Sequence, residues 1–86
     1  MFYVYLLENQ TDKSWYIGFT TNIKRRVEEH LSKAGGLYTR KKNALQLIYF
    51  EAYIHKLDAV GREKYLKSGA GRRFIKEQLA HYFLPR

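Results

Sequence analysis

The chain has 86 residues, enough for one domain (1–86) with a single core, and its apolar fraction of 45% argues against disorder. It has no cysteine, which excludes a disulfide framework, a thiolate metal site and a cysteine nucleophile, and the lack of disulfides suits the cytoplasm. Sixteen lysines and arginines against eight acidic residues give a net charge of +8, which favours a polyanionic partner.

The first segments predict a β-hairpin. Residues 2–7 are rich in β-branched and aromatic side chains and predict a strand. The polar residues 9–14 predict a turn, and residues 15–19 a second, antiparallel strand. No apolar run approaches the roughly 18 residues of a membrane helix, so no membrane partner is expected.

A helix is predicted next, capped by Thr21 or Asn22 and running to about Ala34. Helical spacing places four apolar residues in its buried stripe: Ile23, Val27, Leu31 and Ala34. Gly35-Gly36 would end the helix, and residues 37–43 would form a basic loop.

The second half predicts one strand and two helices. Residues 45–53 are dense in apolar side chains, which favours a central or well-covered strand. A second helix is expected over 57–67, broken by Gly69 and Gly71, and a third over 72–83. The predicted fold is α+β: a small three-stranded sheet flanked by helices, in the order β-β-α-β-α-α.

Basic residues occupy the wrong end of the first helix. Lys24, Arg25 and Arg26 fill its first turn, where the helix dipole disfavours cations. Arg25 is expected to point into water, offset by i,i+3 and i,i+4 pairing with the acids that follow. Arg26 and His30 are four residues apart and share one face of the helix, so they can act together on an anion. The alternative for His30 is a hydrogen-bonded residue at the edge of the core.

Glu63 is the second anomaly, because it falls on the predicted buried face of the second helix. An unpartnered buried carboxylate is costly, so Glu63 must pair with a cation, accept hydrogen bonds or hold a metal. An ion pair with Lys67 or with Arg26 is the structural alternative to a metal-ligand role.

Taken in order, these features resemble the GIY-YIG nuclease family, in its short, single-domain bacterial form. Tyr3-Val4-Tyr5 and Tyr16-Ile17-Gly18 match the two namesake tripeptides, with Tyr3 in place of the first glycine. The family arginine, histidine and glutamate fall on Arg26, His30 and Glu63. A late asparagine found in some family nucleases has no counterpart here.

The resemblance implies metal-dependent hydrolysis of phosphodiester bonds in DNA, with a structural rather than a sequence preference and a role in repair or recombination. Glu63 would hold Mg²⁺ (or Mn²⁺), Arg26 would bind the scissile phosphate, and Tyr5 would be the general base, helped by His30, Arg26 or the metal. Tyr16 would orient water or phosphate, or exchange roles with Tyr5. Gly18 would let the backbone pass close to the helix start or the substrate.

Nucleic acid is expected to lie along the basic loop and the later helices. The candidate contacts are Lys24, Tyr38, Arg40, Lys41, Lys42, Lys67, Arg72 and Arg73. Two alternatives stay open: a non-catalytic nucleic-acid-binding module, and a subunit that needs a protein partner. A partner would be sought at Tyr82-Phe83-Leu84. The sequence leaves open the oligomeric state and the choice between DNA and RNA.

Overall fold

Three antiparallel strands form the centre of the computed structural model, which describes residues 1–33 and 45–85. The strands are β1 (Phe2–Asn9), β2 (Trp15–Thr20) and β3 (Leu45–Tyr53). Their order in the sheet is β2-β1-β3, so β1 is the central strand. The expectation that β3 is central is therefore wrong. β3 is an edge strand with Phe50 49% exposed, whereas Val4 to Asn9 of β1 are all buried.

Helices pack on both faces of this sheet. They are α1 (Ile23–Lys33), α2 (Lys56–Leu66), α3 (Gly69–Gln78) and the single turn α4 (Ala80–Phe83). The α+β class and the order β-β-α-β-α-α are confirmed.

Alternation along β1 divides the core between the two faces. Val4 and Leu6 pack with Ala59, Leu66 and Ile75 of α2 and α3. Tyr5 and Leu7 point to the opposite face and pack with Ile23 and Val27 of α1. Two other members of the predicted α1 stripe lie outside what is described: the side chain of Leu31 and the residue Ala34. The predicted helix end at Gly35-Gly36 also lies outside the described residues.

The connection between α2 and α3 differs from the prediction. Gly69 and Gly71 do not break a helix but lie in the first turn of α3, where the Ser68 hydroxyl accepts a hydrogen bond from the Gly71 N–H at 3.1 Å. A Cβ on Gly71 would lie 2.1 Å from the carbonyl oxygen of Tyr65, so this glycine permits close packing of the two helices. The third helix ends at Gln78 because Leu79 leaves the helical conformation.

Candidate active site

Tyr5 lies at the centre of the candidate site, on the central strand and only 5% exposed. Its hydroxyl oxygen is 3.1 Å from Nε2 of His30, and the two rings meet edge to face at 5.8 Å. Which of the two donates depends on the tautomer of the imidazole. The structure thus joins the predicted phenol to the predicted imidazole, which lies one helical turn after Arg26.

Gly18 makes room for this phenol. It is paired with Tyr5 across β1 and β2. A Cβ on Gly18 would lie 2.2 Å from the Tyr5 hydroxyl oxygen and 2.4 Å from Cζ. The Gly18 backbone therefore approaches the Tyr5 ring closely, while its expected approach to the helix start or to the substrate stays a prediction.

Arg26 lies in the first turn of α1. Asn22 caps this turn, because its Oδ1 accepts a hydrogen bond from the Arg25 N–H at 3.0 Å. Its Nε is 3.6 Å from Oε1 of Glu29, beyond hydrogen-bond distance. This Nε is buried and, among the described residues, has no hydrogen-bond partner. A buried donor without an acceptor is costly, and an anion at this position would satisfy it.

Arg25 pairs with the same Glu29 at 3.9 Å, and its side chain is 62% exposed. The expectation of a solvent-facing arginine offset by a following acid is confirmed for Arg25. The two neighbouring arginines therefore differ in burial, although they share one partner.

The surroundings of Tyr5 act on its acidity. Burial raises the pKa of the phenol, the Arg26 charge lowers it, and the charges of Glu63 and Glu29 raise it. The net direction is upward, and burial is the largest cause, so the pKa of Tyr5 is raised above that of an ordinary tyrosine. Arg26 and Glu63 act on the same hydroxyl, although α1 and α2 lie on opposite faces of the sheet.

Glu63 projects from α2 with its side chain 22% exposed. Its Oε2 is 3.1 Å from Nζ of Lys67, so the ion pair with Lys67 is present. Residues 1–33 and 45–85 hold no group of three or more His, Asp or Glu side chains that could bind a metal ion. A metal held at Glu63 would depend on water and substrate oxygens for its other ligands.

Tyr16 shares a sheet face with Gly18 but differs from Tyr5. It is paired with Leu7 across the hairpin and is 46% exposed. Tyr5 is buried and contacts His30, whereas Tyr16 faces solvent on the edge strand β2.

The predicted nucleic-acid contacts fall into two groups. Tyr38, Arg40, Lys41 and Lys42 lie outside the described residues. The others are exposed: Lys24, Lys67, Arg72 and Arg73. Arg72 is also engaged within the protein, because its guanidinium lies 4.2 Å from the centre of the Trp15 ring.

A second charged cluster joins β3 to α2 and was missed by the sequence reasoning. Arg62 donates to both carboxylate oxygens of Glu51, at 2.8 and 3.0 Å, and the hydroxyls of Tyr49 and Tyr53 donate to the same carboxylate. The alternation Tyr49-x-Glu51-x-Tyr53 was the available signal, since all three side chains share one face of a strand. Arg62 also lies over the rings of Tyr65 and Phe74.

This cluster has its own acid–base signature. Burial alone would raise the pKa of Glu51, but hydrogen bonds from Arg62, Tyr49 and Tyr53 outweigh it and hold that pKa below 4.5. Burial, followed by the hydrogen bonds to Glu51, raises the pKa of Tyr49 and Tyr53 to about 12.

Comparison with known proteins agrees with this geometry. The GIY-YIG catalytic domain model matches residues 1–76. A UPF0213 protein of Haloquadratum walsbyi is 41% identical over 78 residues, covering 91% of this chain and 84% of the relative. A UPF0213 protein of Limosilactobacillus reuteri is 42% identical over 82 residues, covering 93% and 84%.

A solved structure is also similar. The solution NMR structure of a UPF0213 protein from Bacillus halodurans is 38% identical, covers 96% of this chain and 86% of its own, and superposes with a TM-score of 0.54. The names of these relatives state no activity. Within the described part of the chain, no helix is long and apolar enough to cross a membrane.

Proposed function

The chain belongs to the GIY-YIG catalytic domain family, which implies nuclease-like activity, and we propose that it is a metal-dependent endonuclease acting on DNA. It hydrolyses phosphodiester bonds, selects its substrate by structure rather than by sequence, and works in the cytoplasm in repair or recombination.

One observation carries this proposal: a buried phenol contacts an imidazole, and the charges of an arginine on α1 and a glutamate on α2 act on that phenol. Tyr5 and His30 are 3.1 Å apart, and Arg26 and Glu63 both act on the Tyr5 hydroxyl. These are the four residue types that the hydrolysis of a phosphodiester would use as base, proton acceptor, anion binder and metal ligand.

The raised pKa of Tyr5 favours the neutral phenol, which can accept a proton from water only if it gives up its own. The contact with His30 offers a solution. As the attacking water loses a proton to the Tyr5 oxygen, the phenolic proton passes to Nε2 of a neutral His30. The water oxygen forms the new bond to phosphorus, and the ester oxygen of the leaving strand departs. His30 is thus the final proton acceptor, and Tyr5 relays the proton.

Arg26 is suited to bind the scissile phosphate. Its buried Nε–H has no hydrogen-bond partner in the described structure, and a phosphate oxygen would provide one. Negative charge grows on the phosphate oxygens during attack, so a guanidinium already held at this position stabilises the transition state more than the ground state.

Glu63 would hold the divalent cation, which we take to be Mg²⁺ or Mn²⁺. A single carboxylate suits Mg²⁺, which keeps several waters and shares substrate phosphate oxygens. When bound, the ion would stabilise charge on the leaving oxygen. Glu63 would first have to release Lys67, now 3.1 Å away, and Lys67 is exposed and free to turn towards the substrate backbone.

A cleavage assay tests the proposal. Labelled single-stranded, duplex and branched DNA would be incubated at low salt with Mg²⁺ or Mn²⁺, using the wild type, Glu63→Ala and Arg26→Ala. We expect metal-dependent cutting that both substitutions abolish. Binding without cutting on every substrate would instead favour a nucleic-acid-binding module, or a subunit that needs a partner.

A further inference from the structure

A groove on the α2–α3 face of the sheet lies outside the site described above. It has a volume of about 570 Å³, its floor includes the rings of Trp15 and Phe83, and three cations line it: Lys13, Arg72 and Lys76. Glu77 is the one exposed acid among the lining residues, and Glu8 is buried at the floor. An apolar floor with a surplus of positive charge fits a ligand that is flat, aromatic and anionic.

The floor of the groove is held in place by hydrogen bonds. The indole Nε1–H of Trp15 donates to Oε2 of Glu8 at 3.0 Å, and the Tyr82 hydroxyl donates to Oε1 of the same carboxylate at 2.6 Å. Phe83 packs against the indole with ring centres 5.7 Å apart. Burying Glu8 at 1% exposure is costly, and this arrangement fixes the orientation of the Trp15 ring.

Trp15 and Arg72 together form a stacking surface. The guanidinium carbon of Arg72 lies 4.2 Å from the centre of the indole ring. Unpaired nucleobases stack on aromatic rings and on arginine planes, whereas bases in a duplex are already stacked on each other. The chemistry of this surface therefore favours single-stranded over duplex nucleic acid.

The groove adjoins a second pocket that reaches the ion-pair partner of Glu63. A smaller pocket of about 300 Å³ shares Trp15 and Arg72 with it and is also lined by Lys67, the ion-pair partner of Glu63. Trp15 also precedes Tyr16 on β2, and β2 is an edge strand around which a DNA strand can pass. A path thus leads from Glu63 past Lys67 and Arg72 to the groove.

We propose that this groove binds the single-stranded flank of the DNA substrate, with a base against Trp15 and Arg72 and phosphates beside Lys13 and Lys76. This inference rests on the proposed function and adds the kind of substrate: DNA with an unpaired strand next to the bond that is cut. It assigns Trp15, Lys13 and Lys76 to substrate binding, which the motif residues do not include.

Trp15 is the only tryptophan of the chain, so its fluorescence reports on the groove directly. We would titrate the wild type with oligo(dT) of about 12 nucleotides, within the length that single-strand grooves hold. Tryptophan emission and the anisotropy of a labelled copy of the oligonucleotide would be followed without metal. We expect saturable quenching of Trp15 in step with binding, reversed by salt.

Lys76→Ala and Lys64→Ala make a matched pair, because each removes an exposed lysine from the last turn of its helix and only Lys76 lines the groove. Lys76→Ala should weaken binding about fivefold at low salt and lower the salt slope by about 0.7, the contribution of one phosphate contact on a single strand. Lys64→Ala should bind as the wild type does.

Three outcomes would overturn the inference. In the first, anisotropy reports binding, but Trp15 emission does not change and the two lysine variants bind equally well. The DNA would then lie elsewhere, and the nuclease proposal would stand. Absence of binding would remove the groove from substrate recognition, while metal-dependent cleavage would still be judged by its own assay. A change of Trp15 emission with protein concentration alone would assign the groove to a second copy of the chain.

Discussion

Two charged clusters of this molecule differ in the hydrogen-bond partners that they provide for their arginines. Arg62 makes two hydrogen bonds to Glu51, at 2.8 and 3.0 Å, and two tyrosine hydroxyls complete the shell around that carboxylate. The Nε of Arg26 is also buried, but it lies 3.6 Å from Glu29 and has no hydrogen-bond partner in the described structure.

The difference separates a structural ion pair from a binding site. A carboxylate with four donors, two of them from one bidentate arginine, has little capacity left for a ligand, so the Glu51 cluster ties β3 to α2. An arginine with an unsatisfied donor costs free energy in the absence of a ligand, and binding of an anion recovers that cost. Substitutions at Arg26 are therefore expected to lower activity, whereas substitutions in the Glu51 cluster are expected to lower stability.

The largest effect is expected at Tyr5. Tyr5→Phe removes the hydroxyl that contacts His30 and should lower the cleavage rate by about 10³-fold, the range of a lost acid–base group. Tyr16→Phe, the matched change at the exposed tyrosine, should lower it by less than about tenfold. Single-turnover rates of both variants decide this. Equal losses of rate in the two variants, or a greater loss in Tyr16→Phe, would show that Tyr5 is not the residue that transfers the proton.

Gly18→Ala should come next, because its new Cβ would lie 2.2 Å from the oxygen of a buried phenol. Tyr5 must then move away from His30, and we expect a rate about 100-fold lower, with stability lower by about 1–3 kcal/mol. Gly61→Ala is the control, since a Cβ there meets no described heavy atom within 4 Å. It should keep full activity and gain up to about 1 kcal/mol in stability from helix propensity. A fully active Gly18→Ala would argue against the Tyr5–His30 contact.

At the structural cluster, Glu51→Gln should destabilise the fold by about 2 kcal/mol, because the half-buried Arg62 loses its counter-charge. Glu28→Gln removes the same charge from an exposed position of α1 and should change stability by less than about 0.5 kcal/mol. Urea denaturation measures both variants. If the two losses were similar, the Glu51 cluster would contribute no more than an ordinary surface charge.

The smallest effect concerns the pH dependence of stability. The Glu51 pKa is below 4.5 in the folded protein, so its contribution is present above pH 4.5 and is lost as the pH falls through the folded-state value. Tyr49 and Tyr53 have the opposite sign: their contribution is present below pH 10 and is lost as the pH rises towards about 12.

Unfolding free energies of the wild type and Glu51→Gln, measured from pH 3 to 7, should therefore converge in acid. A gap between the two proteins that stays constant down to pH 3 would show that the carboxylate of Glu51 is not what Arg62 stabilises.

Spacing within one element was enough to predict part of this molecule. The bounds of β3 match the predicted residues, because its apolar density and flanking polar residues are local signals. The shared face of Arg26 and His30 follows from helical geometry, and the ion pair of Glu63 with Lys67 follows from the i,i+4 spacing.

What sequence could not predict depends on pairing between distant elements. β1 continues to Asn9 because the carboxylate of Glu8 finds donors in Trp15 and in Tyr82, near the other end of the chain. Gly71 resembles a helix breaker, yet its lack of a side chain is what lets α3 pack on the end of α2. The match of Arg62 to Glu51 depends on the position of α2 on the sheet, which no local pattern predicts.

The most direct test applies one substitution to both arginines. Arg26→Met and Arg62→Met each replace a guanidinium by an apolar side chain, and both the cleavage rate of the folded protein and its unfolding free energy would be measured. We predict that Arg26→Met lowers the rate by about 10²–10³-fold, as for the loss of one transition-state donor, and does not lower stability, because it removes an unsatisfied buried donor. Arg62→Met should lower stability by about 2 kcal/mol and leave the rate of the folded fraction unchanged. The reverse pattern, or parallel losses of rate and stability in both variants, would contradict the division between a binding arginine and a structural one.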